Sequence, residues 1–127
     1  MISGLFDQTN YVAAKKMLDA TVMRHEAIAS NLANVETPHY KRLDVAPSFQ
    51  SELRNAVNAQ SSGQIASIQP QISPDPAAVS NSADGNSVQL ESELLQMNKN
   101  FVEHSLETQL ITGNLLKLRL AITGRPI

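Results

Sequence analysis

Two stretches with apolar side chains every three or four residues, one near each end of the chain, most constrain what it can fold into. The N-terminal stretch keeps this spacing from Tyr11 to Val35, and the C-terminal stretch keeps it from Leu94 to Ile122. Such spacing places the side chains on one face of a helix. We therefore predict a first helix of about 26 residues and a last helix of about 35 residues. The first should stop near Val35, because Pro38 disfavours helical backbone in the residue before it.

The last helix carries more apolar surface than one partner helix can cover. It has two stripes of apolar residues, and the first helix has one. The residues we expect to pack between subunits are Leu18 and Ile28 on the first helix and Leu94, Phe101, Ile111, Leu115, Leu118, Ile122, Leu95, Val102, Leu106 and Leu110 on the last. We favour an assembly in which other subunits cover the excess. The alternative is a monomeric bundle in which a short helix, predicted over Ser48–Asn58, covers the second stripe.

The sequence also predicts where the last helix begins and ends and what kind of segment precedes it. Ser87 is the expected N-cap, with acidic side chains in the first turn, and Gly124 begins the stop. From Gln60 to Ser87, 20 of 28 residues are Ser, Gln, Asn, Asp, Gly or Pro. Such a segment buries little apolar surface, so we expect a flexible or extended excursion with short strands around Ile65–Ile68.

These elements divide the 127 residues into three parts. Residues 1–42 hold the first helix, residues 43–87 hold the short helix and the polar excursion, and residues 88–127 hold the last helix. We predict a mainly α fold in which the first and last parts form a single domain, as an antiparallel, coiled-coil-like pair. The chain has only five aromatic residues, which favours helices over a β-sandwich.

Composition excludes several classes of function. The chain contains no Cys, which excludes a disulfide scaffold and Cys-ligated metal sites. Its net charge of −2 argues against binding to nucleic acid. No window approaches the ~18 apolar residues needed to span a membrane. The first eleven residues contain no apolar core of a cleavable signal peptide, so we expect export, if it occurs, by a route that reads no leader.

Nothing in the sequence indicates an enzyme. His25 and His104 fall on the apolar stripes, where packed histidines are more common than metal ligands. No nucleotide-binding loop or nucleophile motif is present. We therefore expect no catalytic, cofactor or metal site. The basic pairs Lys15–Lys16 and Lys41–Arg42 are expected to lie on a solvated surface, because no basic stripe continues from either.

Two asparagines near the end of the first helix stand out, since Asn disfavours helix interiors. Asn34 can adopt a left-handed cap conformation and satisfy terminal carbonyl groups; the alternative is an ordinary helix stop followed by a loop. Asn31, one turn earlier, should bond across a packed interface and so fix its register. The turn that follows, from Thr37 onward, should swing Tyr40 back towards the helix.

At these residues the chain resembles the rod and hook proteins of the flagellar basal body. Their shared N-terminal signature reads A-x-N-[IL]-A-N-x-x-T-P-G-Y-K, and the matching residues are Ala29, Asn31, Leu32, Ala33, Asn34, Thr37, Pro38, Tyr40 and Lys41. His39 stands where the family usually has Gly; if that position needs a positive φ, His is among the better tolerated substitutes. The stretch from Val88 to Arg125 is similar to that of a proximal rod protein in this family, and the neighbouring rod protein FlgC is the alternative.

The resemblance implies a structural role. Rod proteins assemble helically around the flagellar export channel, transmit torque, lie in the periplasmic part of the basal body and are exported without a cleaved leader. The implied partners are further copies of the chain, a FliE-like adaptor, a FlgC-like rod protein, the export gate and the MS ring. From another class, the alternative is a soluble helical adaptor or chaperone that binds one partner helix.

Overall fold

Two long helices and a small middle region make up the protein. The computed structural model describes residues 8–80 and 82–124, which form six elements: α1 (Gln8–Ala33), β1 (Leu43–Val45), α2 (Ser48–Asn58), α3 (Ser62–Ser67), β2 (Ile72–Pro74) and α4 (Leu90–Thr123). The predicted mainly α fold is confirmed. The long helices have 26 and 34 residues, close to the lengths expected from the apolar spacing.

The long helices run antiparallel along each other. Near the end of α1, Asn31 bonds to Glu93 in the first turn of α4, and ten residues earlier Thr21 Oγ1 lies 3.0 Å from His104 Nδ1. Positions later in α1 therefore meet positions earlier in α4. This confirms the predicted antiparallel pair.

The face that α4 turns towards α1 is polar. The buried residues of α4 are Glu93, Asn100 and Glu107, spaced by seven as in a heptad. Asn100 Nδ2 donates 2.8 Å to the Thr21 carbonyl oxygen, and the Glu93 carboxylate accepts from Asn31. The sequence left open which neighbour each apolar stripe of α4 contacts, and the fully buried side chains that α4 presents here are polar. Glu93 and Asn100 lie at this seam because both bond to α1, and Glu93 also bonds to Arg42 in the chain that follows α1.

The apolar core lies on another side of α1. It joins α1 to β1, α2 and α3 and consists of Ala13, Ala20, Val45, Phe49, Leu53, Ala56 and Ile65. The predicted short helix over Ser48–Asn58 is confirmed, and its buried side chains are Phe49, Leu53 and Ala56. It packs on α1 and α3, so it does not cover the apolar surface of α4.

The expectation of strands around Ile65–Ile68 is wrong. Ser61 caps α3, because its hydroxyl oxygen accepts a hydrogen bond from the Gln64 backbone N–H. The resulting turn and a half buries Ile65 completely, at 0% exposure. One buried Ile therefore anchors a segment whose composition predicts flexibility.

The strands form a two-stranded antiparallel ribbon in which Leu43 faces Pro74 and Val45 faces Ile72. Just beyond the ribbon, the Asp75 N–H donates to the Arg42 carbonyl oxygen at 2.8 Å. The ribbon thus brings an acidic side chain from the polar middle next to the residue that leads into β1.

The start of α4 differs from the prediction, and its end agrees with it. Gln89, not Ser87, is the N-cap residue and makes no side-chain capping bond. Ser87 Oγ instead accepts from the Arg42 backbone N–H at 2.8 Å, so its hydroxyl is already used. Gly124 ends the helix in left-handed conformation at φ 67°, as expected of a C-terminal stop. No helix in the described ranges is both long and apolar enough to cross a membrane.

Candidate functional site: the helix-end motif and the exposed helix faces

The motif at residues 29–41 forms the junction between the end of α1, the start of β1 and the first turn of α4. Asn31, which is 0% exposed, is at its centre. Its Nδ2 donates to the Leu43 carbonyl oxygen at 2.8 Å and to Glu93 Oε2 at 3.2 Å. Its Oδ1 accepts from the Leu43 N–H at 2.8 Å and from the Tyr40 hydroxyl at 3.3 Å. Every bonding position of this amide is filled, and the predicted bond across the interface is present.

The turn after α1 folds back as expected, but its left-handed residue is elsewhere. The Tyr40 hydroxyl lies 2.8 Å from Ser30 Oγ on the last turns of α1. Asn34 is not left-handed; its Nδ2 donates to the Ser30 carbonyl oxygen at 2.8 Å. The left-handed residue of the turn is His39, at φ 61°. The position where the resemblance places Gly therefore has a backbone that suits Gly.

His39 faces a second left-handed residue. Its N–H donates to the Asp84 carbonyl oxygen at 2.9 Å, and the next residue, Gly85, has φ 78°. A Cβ on Gly85 would lie 2.7 Å from His39 Nδ1. The backbone of Gly85 thus favours Gly, and a side chain there would also displace the exposed imidazole of His39.

Replacing His39 by Gly should stabilise the fold. A left-handed non-Gly residue costs about 1–3 kcal/mol. Gly has more conformational freedom in the unfolded chain, and this offsets ~0.5–1 kcal/mol of the stabilisation gained by removing the strain. We expect His39→Gly to raise the free energy of unfolding by about 0.5–1 kcal/mol in urea denaturation. The control, His39→Ala, keeps the strain and should not be stabilising; a less stable His39→Gly protein would contradict this account.

Asn86 holds the end of α1 and was not identified from the sequence. It is buried, and its Nδ2 donates to the carbonyl oxygens of Asn34 and Thr37, each at 2.8 Å, and of Val35 at 3.1 Å. Its Oδ1 accepts from the Val88 N–H at 2.7 Å. It therefore joins the C-terminal end of α1 to the chain entering α4. The Asp-Gly-Asn turn at 84–86 was the available signal.

Arg42 is the hub of an ion-pair network. Its guanidinium pairs with Glu93, with Asp75 at 2.7 Å and with Asp44 at 3.2 Å. Its side chain is only 11% exposed and Glu93 is 0% exposed. Lys41 is exposed, as expected of a solvated pair, but for Arg42 that expectation is wrong. The reason is that Asp75 and Glu93 lie far along the chain and are brought to Arg42 by β2 and α4.

A second arginine extends the network. Arg24 on α1 pairs with Asp44 at 3.1 Å and with Glu103 on α4 at 3.3 Å. Burial disfavours the charged form of Asp44. The hydrogen bonds that its carboxylate accepts from the Val45 N–H and from Arg24 nevertheless hold its pKa below the ordinary 3.8. Glu93 and Asp44 likewise hold the pKa of Arg42 above its ordinary value despite its burial. The stabilisation from Asp44 is therefore present above pH 3.8 and is lost as the pH falls through the lowered pKa.

Most of the expected interface side chains on α4 are exposed. Phe101 is 71% exposed and Ile122 is 73% exposed. The other exposed members of the predicted set are Leu94, Leu95, Val102, Leu106, Leu110 and Leu115. Ile111, Leu118 and, on α1, Leu18 are half-buried, and Ile28 is buried. Both apolar stripes of α4 are therefore largely on the surface.

The remaining motif residues and the histidines lie at the periphery. Leu32 is half-buried, whereas Ala29, Ala33, Thr37, Pro38 and Lys41 are exposed. His104 packs against Thr21 as predicted, but His25 is exposed, so the expectation of a packed side chain there is wrong. In residues 8–80 and 82–124, no three His, Asp or Glu side chains come together as a metal site.

The side chains of this site hold helices together. Asn31 has all its bonding positions filled, and the charges of Arg24 and Arg42 are matched by nearby carboxylates. Together they attach α4 to α1 at a defined register. The apolar faces of α4 point away from this junction and are available for contact.

Comparison with known proteins agrees with the resemblance seen at the motif. No protein-family model matches the chain. A protein of Cereibacter sphaeroides, named flagellar basal body rod protein FlgB, is 29% identical over 134 aligned residues, covering 97% of this chain and 99% of the relative. A protein of the same name from strain ATCC 17029 / ATH 2.4.9 has the same identity and coverage. The chain is thus similar from end to end to flagellar rod proteins.

Proposed function

We propose that this chain is a structural subunit of the proximal rod of the bacterial flagellar basal body. The observation that carries the proposal is the similarity to FlgB over 97% of this chain and 99% of the relative. The aligned lengths leave no room for a large inserted domain. A role set by packing rather than catalysis fits a site whose polar groups bond to one another.

The exposed faces of α4 support assembly. Monomeric proteins rarely leave large contiguous apolar patches in water. Here large side chains such as Leu95, Phe101, Leu106 and Ile122 are more than half exposed along one helix. Neighbouring subunits would bury them, and the helix-end motif would hold α4 in the orientation that presents them.

The finer parts of the proposal follow from the resemblance. Copies of the chain would assemble helically around the export channel and transmit torque in the periplasmic part of the basal body, after export without a cleaved leader. Contacts with a FliE-like adaptor, a FlgC-like rod protein, the export gate and the MS ring would then fall on the exposed faces of α4. The motif residues Asn31 and Tyr40 would act by positioning, since both are engaged within the subunit.

Deletion of the gene and isolation of basal bodies test the proposal. We expect the deletion strain to lack complete rods and motility, and the wild-type gene to restore both. Basal bodies from the restored strain should contain the chain. Normal rods in the deletion strain would refute a rod role. Rods that require the gene but do not contain the chain would instead identify the adaptor or chaperone alternative.

A further inference from the structure

A groove runs along the side of the protein between α1, α2 and α4. Its volume is about 680 Å³, and its floor is apolar, with Ala13, Ala14, Met17, Phe49 and Leu53 among the lining side chains. The charged lining residues are Arg24, Arg54, Glu103 and Glu107. On α1 the groove extends from Asn10 to Arg24, which is about 21 Å of helix. This is the length of about four helical turns, so the groove can receive a helix of roughly 14 residues.

One wall of the groove contains a buried carboxylate without a cation. Glu107 on α4 is 8% exposed, and it forms no ion pair with any residue in the described ranges. Glu103, one turn earlier on the same wall, is paired with Arg24. Burial raises the pKa of Glu107, and the charge of Glu103 raises it further. A basic side chain entering the groove would neutralise Glu107.

The last turns of α4 carry exposed apolar and basic side chains that suit the apolar floor of the groove and Glu107. Leu116 and Leu120 are exposed and lie one turn apart on the same face. At 3.6 residues per turn, Lys117 and Arg119 flank this face at roughly 80° on either side. Both are exposed, and neither forms an ion pair with a described residue. Residues 111–123 span about 20 Å, which is close to the length of the groove.

We propose that the last turns of α4 in one copy lie in the groove of the next copy, with Leu116 and Leu120 on the apolar floor and a flanking basic side chain at Glu107. The two surfaces cannot meet within one chain. Lys117 is ten residues from Glu107 on the same straight helix, about 15 Å along its axis. This inference rests on the proposed function and names the contact through which copies would assemble.

The proposed contact has a consequence for symmetry. The groove and the end of α4 are different surfaces, so each copy would offer one of each. Such head-to-tail contacts generate rings or open helical arrays rather than closed two-fold dimers. An open helical array is the kind of assembly that a rod requires.

Cross-linking in isolated basal bodies tests the contact, because the chain has no cysteine of its own. Two variants, Met17→Cys in the groove and Leu120→Cys on the last turns of α4, are co-expressed in the deletion strain. Each chain carries one thiol, so no disulfide can form within a chain. We expect the Met17–Leu120 cross-link to exceed by about fivefold or more that of a control pair, Val79→Cys with Leu120→Cys. Val79 is 69% exposed and does not line the groove. Basal bodies that contain both chains but show no enrichment over the control would overturn the docking and leave the rod role standing.

A charge variant tests the contact independently of the thiols. Glu107→Gln removes a buried charge and its repulsion with Glu103, so it should raise the melting temperature at neutral pH. Because folding raises this pKa, the gain should shrink as the pH falls through it towards 4.5. The same variant loses the partner of the incoming basic side chain.

Incorporation is then measured against the wild-type chain. With equal expression of both, we expect Glu107→Gln to be under-represented in basal bodies by roughly tenfold. A matched variant, Glu26→Gln at an exposed position of α1, should be incorporated like the wild-type chain. A more stable subunit that assembles poorly is the signature of an interface carboxylate. Equal incorporation of both variants would contradict the proposal.

Discussion

Replacing Arg42 by Met is expected to lower the free energy of unfolding by about 3–5 kcal/mol, the usual cost of breaking a buried ion pair from one side. The substitution would leave Glu93, which is 0% exposed, without a cation. Asn31 would remain as its hydrogen-bond donor, and an amide does not balance a buried carboxylate. Urea denaturation of the purified chain measures the loss.

The network predicts an asymmetry between the two partners. Glu93→Gln should cost less than Arg42→Met, because Arg42 keeps Asp75 and Asp44 as partners. In the double variant Arg42→Met with Glu93→Gln, the buried carboxylate that Arg42→Met leaves without a cation is also removed, so it should be more stable than Arg42→Met alone. Equal costs for the two single variants, or additive costs in the double variant, would show that the pair is not the centre of the network.

Asn31→Asp is expected to be the second most damaging change, although the two side chains have the same shape. The Asp retains an oxygen for the Leu43 N–H, but its second oxygen replaces the Nδ2 donor and faces the Leu43 carbonyl oxygen and Glu93 Oε2. A buried charge then meets two acceptors, at a cost of roughly 3–5 kcal/mol. The loss should decrease at low pH, where protonation of the new carboxyl restores a donor.

Thermal and urea denaturation at two pH values test this prediction. A matched control is Asn98→Asp, at an exposed position of α4, which should change stability by less than about 0.5 kcal/mol. If Asn31→Asp behaved like Asn98→Asp, the amide would not be holding α4 to the end of α1.

Local patterns predicted three of the six elements, the helices α1, α2 and α4, because helix formation depends on neighbours three and four residues away. The stops at Pro38 and Gly124, the short helix at Ser48–Asn58 and the return of Tyr40 to α1 could all be derived in this way. The bond of Asn31 across the interface was predicted from its cost in a helix interior. These inferences needed only residues within about one turn of each other.

Long-range polar contacts could not be derived in the same way. The sequence predicts Arg42 to be part of a solvated surface pair. Its partners Asp75 and Glu93 lie 33 and 51 residues away, so local spacing does not indicate them. Glu93, Asn100 and Glu107 also repeat every seven residues, but they are polar, and apolar spacing alone does not predict that they are buried. Periodicity predicts which residues share one face of a helix, and the elements that pack against the helix determine which face is buried.

The division of α1 between an apolar and a polar neighbour has a thermodynamic consequence. Its contacts with β1, α2 and α3 bury the apolar cluster, whereas the buried residues of α4 are polar. Exposure of apolar surface raises the heat capacity and exposure of polar surface lowers it. Lifting α4 from α1 should therefore raise the heat capacity less than melting the cluster does. In such a subunit, α4 can change its position against neighbouring subunits while the apolar cluster stays folded.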